Sequence, residues 1–158
     1  MAQIDKQILG IAAEYAVAAE LGRRNIYAQL TLGNQKKVDL LLFGNQYRNM
    51  LKVEVKGKNS KSWANLKGLI DKTTFFVFVD YFNKKEDELL DFYIVSLDDW
   101  NKLVDEIYGK GIKKGVLKLD EYGTPTWPEQ PYTGAEFTPE QLAKHKNKWE
   151  KIINKLSE

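Results

Sequence analysis

The chain has 158 residues, 43% hydrophobic and 29% charged, a length and balance that suit one soluble domain (1–158) and exclude a disordered or membrane-embedded chain. With no cysteine and one histidine, His145, it has no disulfide frame, thiolate zinc site or histidine-rich centre, so any bound metal must be held by oxygen. The net charge of +2 is too small to announce a nucleic-acid partner.

Ile4, Ile8, Ile11 and Tyr15, followed by Ala18 and Ala19, keep helical spacing up to Gly22, which predicts a helix over 3–21. Asp5 and Glu14 interrupt this segment, so it does not read as a signal peptide; a cytoplasmic protein away from membranes is expected. Alternation of Ile26, Ala28, Leu30 and Leu32 predicts a strand ending near Gly33. Two more strands follow over about 37–43 and 50–57, joined through "GNQYRN". "SWANLKGLIDK", 62–72, has the spacing of a short helix. The aromatic and β-branched runs 74–82 and 91–97 predict strands, and Asp98 caps a helix expected through Tyr108. Residues 109–120, rich in lysine and glycine, fix no element. All four prolines fall between 125 and 139 among aromatics, which predicts a cover folded onto the body. Thr138, Pro139 and Gln141 then begin a closing helix expected to reach Leu156. This gives a core over about 3–108, with the cover and last helix over about 121–156.

The second and third strands contain Asp39 and Glu54 in runs otherwise suited to burial. If Gly44 faces Asn49 across the loop, paired positions sum to 93 and Asp39 falls opposite Glu54. A slip of two keeps both on one face, whereas an odd slip separates them. Lys52, Glu54 and Lys56 share that face, and Val53 and Val55 turn to the other with Val38, Leu40 and Leu42. Two opposed carboxylates need a shared proton, a cation or the neighbouring lysine. Magnesium, or manganese in its place, meets that need and takes phosphate oxygens as further ligands. Lys56 beside it could steady an attacking water and offset charge on a phosphate, which is phosphodiester chemistry. The same three side chains would also make a solvated ion cluster. Glu14 adds a carboxylate inside an apolar helical stripe, and Gly10 one turn earlier leaves room for a close approach to a sheet.

"GIAAEYAVAAEL" with Glu14, Asp39 opening a strand, and "VEVKGK" supplying Glu54, one spacer and Lys56 together resemble the PD-(D/E)xK, restriction-endonuclease-like nuclease superfamily, and within it the Holliday junction resolvase-like members. The resemblance spans about residues 8–97, and Val38 stands where the motif has proline. It implies an α/β fold with an αβββαβ core, a central mixed sheet flanked by helices, here with an added C-terminal helix. It also implies that Asp39 and Glu54 bind the metal, that Lys56 assists the water, and that Glu14 is a further ligand or orients the site.

Six lysines against two acids give 52–72 a local balance of +4, whereas three lysines against nine acids give 80–106 a balance of −6. Lys58, Lys61, Lys67 and Lys72 follow the site strand and are expected to meet a phosphate backbone, with Trp63 stacking on a base. His145 lies in a basic stretch and is expected at the surface. The leading expectation is a magnesium-dependent endonuclease acting on DNA, with RNA left open. The alternatives are a structure-specific resolvase, which would need a homodimer presenting two sites, and a non-catalytic nucleic-acid-binding or interaction module.

Overall fold

The computed structural model describes residues 4–32, 37–69 and 71–158. The expected helix start at Gln3 and strand end at Gly33 lie outside them. Helix α1, Lys6–Gly22, begins after Asp5, whose carboxylate accepts the N–H groups of Gln7 and Ile8. It buries Leu9, Ala13, Val17 and Leu21, while Ile8, Ile11 and Tyr15 are exposed, as is Ile4 before its start. The helix is apolar on both sides, so spacing reveals the helix without saying which side is covered.

Five strands form a mixed sheet: β1 (Tyr27–Leu30), β2 (Leu40–Phe43), β3 (Met50–Lys58), β5 (Thr74–Asp80) and β6 (Asp91–Val95), in the order β1-β2-β3-β5-β6. Only β3 and β5 run parallel; the other neighbours are antiparallel. On one side Ala13, Val17 and Leu21 of α1 pack with Leu40, Leu42, Val53, Val55 and Val77, joined by Trp149 and Ile152. On the other, Phe76, Phe78 and Val95 pack with Trp100, Leu103 and Val104. The fold is therefore mixed α/β, with helices on both faces of a central sheet. No helix among the described residues is long and apolar enough to cross a membrane.

The helix expected over 62–72, which would have completed the αβββαβ order, does not form. Trp63–Leu66 is strand β4, paired with β9 (Ala135–Phe137). The ladder shifts between Trp63 and Leu66, and Asn65 turns to φ 57°, so both apolar residues are buried three positions apart. A bulged strand thus reproduces helical spacing. Helix α2 runs Leu97–Lys113, longer than expected and capped by Ser96 rather than Asp98, because Ser96 and Asp99 form a reciprocal capping box. The hairpin β7 (Lys118–Leu119) and β8 (Pro125–Thr126) follows.

The closing helix is also shorter than expected. Thr138 and Gln141 exchange the predicted capping hydrogen bonds, but only a 3₁₀ turn at Ala143–His145 follows, and α3 is confined to Glu150–Leu156. Between them Lys146 bridges Tyr93 and the Asn147 N–H donates to the Phe92 carbonyl at 2.8 Å. The open edge of β6 captures this backbone and interrupts the helix.

Candidate functional site

The β2–β3 register pairs Leu40 with Val53 and Leu42 with Leu51, the sum of 93 expected from the loop, and Gly44 N–H donates to Asn49 at 2.8 Å. Extended by one position, that sum would set Asp39 opposite Glu54, but the paired register ends at Leu40 and Val53. There the strands part. Asp39 N–H still donates to the Val53 carbonyl at 2.9 Å, but the Val55 N–H donates to the Asp39 carboxylate at 2.6 Å. The side chain takes the place of a ladder acceptor and is thereby fixed. Thr31 secures the same corner: its N–H donates to the Asp39 carbonyl at 2.9 Å and its hydroxyl to the Val38 carbonyl at 2.7 Å.

Glu54 is buried, flanked by Phe76 on β5. One carboxylate oxygen meets Lys56 Nζ at 2.6 Å, whereas Oε2 is buried with no hydrogen-bond partner among the described residues. An orphaned carboxylate oxygen has the chemistry of a cation or water ligand. Burial pushes the Asp39 carboxyl above its ordinary value, although the Val55 N–H and Lys56 pull it down. Burial also raises Glu14, and the negative charge of Asp39 raises it further. Asp39 therefore senses Lys56 and Glu14 together. Burial and mutual repulsion among these carboxylates are both relieved by added positive charge, so the residues present fit a hard divalent cation.

Close packing of α1 brings Glu14 to this corner, and the glycine responsible is not Gly10, which has open space around it. A Cβ on Gly57 would lie 2.9 Å from that of Ala13, so Gly57 allows α1 to rest on β3. The three carboxylates do not form a cage: among the described residues no three acidic or histidine side chains gather at metal-binding distance. The carboxylate coupling at this corner is between Glu14 and Asp39.

The expected nucleic-acid residues divide. Lys61 and Lys67 are exposed, Lys67 bonding the Thr133 hydroxyl. Lys58 is 4% exposed, paired with Asp80 at 2.5 Å and lying 4.5 Å from the centre of the Trp63 ring, so it offers no free charge at the surface. Trp63 is 3% exposed and cannot stack on an incoming base. Lys72 is exposed but precedes Thr74, which pairs with Lys52, so it lies toward the end of β3 away from Lys56. It lines a separate cleft of about 440 Å³ with Ser96, Asp98 and Lys102. His145 is buried, contrary to the surface position expected, with Nδ1 2.8 Å from Lys151 Nζ.

Sequence spacing did not reveal two supporting residues. Thr31 pins the Asp39 corner, and the Trp63 indole N–H donates to the Lys56 carbonyl at 2.8 Å. A buried tryptophan needs an acceptor for its N–H, which is a usable signal, but the identity of that acceptor depends on the tertiary crossover.

No protein-family model matches the chain, and no curated protein matches it. Among solved structures, a bacterial homing endonuclease, I-Ssp6803I, is similar, with a TM-score of 0.55 over 98% of this chain and 97% of that one, at 16% identity. The likeness is one of fold.

Proposed function

We propose that the chain is a metal-dependent DNA endonuclease that hydrolyses phosphodiester bonds and belongs with the PD-(D/E)xK nucleases. The observation that carries this reading is the fork of β2 and β3, where Asp39 is clamped by the Val55 N–H and coupled to Lys56, Glu54 keeps a buried oxygen without a partner among the described residues, and Lys56 lies 2.6 Å from the other oxygen. In this reading Asp39 and Glu54 hold magnesium and Glu14 tunes the charge at their side. A bound magnesium ion supplies Lewis acidity toward phosphate oxygens and the attacking water. The Val55 N–H prevents the Asp39 carboxylate from swinging away. Burial beside Phe76 keeps water from Glu54, strengthening every charge interaction there. Lys56, held through its carbonyl by Trp63, directs its ammonium at the negative charge that grows on the phosphate.

The fold likeness to a bacterial homing endonuclease is compatible with this reading and favours DNA as substrate. The test is cleavage of linear, nicked and branched DNA with and without magnesium, alongside calorimetric titration of the metal. Metal binding with magnesium-dependent cutting supports the proposal. A chain that neither binds magnesium nor cuts any of these substrates overturns it in favour of a binding module.

A further inference from the structure

Between Glu106 and Asp120 the chain carries Lys110, Lys113, Lys114 and Lys118 and no acid, a cationic run that the fork does not use. Lys110 and Lys113 complement the C-terminal dipole of α2. Lys118 has no such role. It is exposed on β7 and, like Lys67, forms no ion pair among the described residues, whereas Lys52, Lys56, Lys58 and Lys151 are each matched to a carboxylate.

Strand pairing places Lys118 in a row. Lys118 pairs with Thr126, Thr126 bridges Thr133, and the Lys67 ammonium donates to the Thr133 hydroxyl. Directly paired residues point to one face, so Lys118, Thr126, Thr133 and Lys67 stand side by side. Trp127 and Tyr132, each one position from a threonine of the row, turn to the other face. There their rings lie 5.4 Å apart and Tyr108 of α2 packs 5.9 Å from Trp127, so the helix backs the aromatic face and the basic one meets solvent. Two contacts tie this small sheet to the candidate site. The Tyr122 ring, in the turn of the β7–β8 hairpin, lies 3.8 Å from Nζ of Lys37, two residues before Asp39. On its other side a Cβ on Gly68 would come within 1.7 Å of the Tyr122 carbonyl, and the Gly68 N–H donates to the Thr124 hydroxyl at 2.8 Å. The hairpin is thereby wedged between the Asp39 loop and the crossover after β3.

We propose that this row is an arm that holds the phosphate backbone of duplex DNA beside the β2–β3 fork. Lys118 and Lys67 supply the cationic contacts. The Thr133 hydroxyl, which accepts from Lys67, keeps its own proton to donate to a phosphate between them. The proposal rests on the nuclease reading for its partner, and charge complementarity supports it. At the usual spacing of adjacent strands the row spans about 14 Å, over which one strand of a duplex presents about four phosphates. Of the nearby acids, Asp120 turns into its own hairpin, accepting from the N–H groups of Tyr122 and Thr124 at 2.9 and 2.8 Å, and Glu136 accepts from the Ser62 hydroxyl. Neither pairs with a lysine of the row.

Fluorescence anisotropy of a labelled linear duplex, at several salt concentrations and without magnesium, tests the arm, with cleavage measured separately. Lys118→Ala is expected to lower the slope of log affinity against log salt by about 0.9, and Lys118→Ala with Lys67→Ala by about 1.8. Lys118→Arg should keep the wild-type slope, as should Lys102→Ala, which removes an exposed lysine from the cleft shared with Lys72. Circular dichroism should not change, since Lys118 and Lys67 are exposed. A wild type that binds and cuts DNA while Lys118→Ala keeps its slope overturns the arm and leaves the nuclease reading standing. A slope that falls as expected in a chain that cuts no DNA supports the arm and overturns the nuclease reading. A slope that falls equally for Lys102→Ala, tighter binding of duplex RNA than of DNA of the same sequence, or a wild type that binds no DNA overturns the proposal.

Discussion

Asp39 and Lys56 carry opposite charges and are coupled to each other, so removing each isolates a different job. Because burial dominates the raised Asp39 carboxyl, its charged form lowers stability at neutral pH: the favourable contribution is complete below the ordinary value of 3.8 and lost as pH rises through the higher folded value. Asp39→Asn keeps the shape and removes that charge. The variant is expected to melt no lower than wild type at neutral pH while losing magnesium affinity and cleavage together. Lys56→Ala should still bind magnesium but cleave slower by about two orders of magnitude. Calorimetry and single-turnover cleavage on the same preparations check both, and a Lys56→Ala variant as fast as wild type would remove that lysine from the chemistry. His145 provides a pH test independent of catalysis. Its Nδ1 must accept from Lys151, and burial followed by the Lys151 charge lowers it below the ordinary 6.5, despite Asp99 at 3.8 Å. A depressed value gives stability that is present above 6.5 and lost as pH falls, because acid adds a proton facing an ammonium. Melting temperature should therefore fall between about pH 7 and 5, and His145→Gln should flatten that slope. Parallel profiles for the two proteins would contradict this origin.

At the scale of elements, the site depends on α1 lying close enough to β3 for Glu14 to sense Asp39. Gly57 sets that distance. Gly57→Ala brings a methyl to 2.9 Å from the buried Ala13 side chain, so the helix must shift. A loss of about 1–3 kcal/mol is expected in urea denaturation, with the m-value unchanged. Cleavage should fall by more than the fraction unfolded explains, because Glu14 moves with the helix. The β2–β3 pairing is legible in the sequence because strand period and loop length are local, and together they determine which residues face each other. The β4 strand is not legible, since its partner β9 comes some seventy residues later and its bulge imitates a helix. The same applies to the last helix, which is interrupted by the edge of β6, an element whose openness spacing cannot disclose. Glu54 and Lys56 can be placed from the sequence, whereas the backbone clamp on Asp39 and the indole bond to Lys56 require the folded chain.

Across the whole molecule, the lysines after β3 differ in availability, which decides where a phosphate backbone would lie under the nuclease proposal. Lys58 neutralises Asp80 inside the protein, while the turn between β5 and β6 presents Glu86, Asp87 and Glu88 to solvent. A phosphate backbone reaching the fork would be repelled on the β6 side. It would find Lys61 and Lys67 exposed on the crossover that follows β3, with Lys72 displaced toward the opposite end. Each phosphate contact contributes about 0.9 to the slope of log affinity against log salt. Lys61→Ala with Lys67→Ala should therefore reduce that slope by about 2, and Lys72→Ala should leave it unchanged. Lys58→Met also removes a lysine, but one that supplies no phosphate contact. Its expected effect is a stability loss of about 3–5 kcal/mol from leaving Asp80 unpaired in the interior, with the salt slope of the folded fraction unaltered. Binding isotherms at several salt concentrations, paired with thermal melts of all three variants, separate these outcomes. A slope that falls equally for Lys58→Met, Lys72→Ala and the double variant would mean that the DNA path does not follow the exposed side of the crossover.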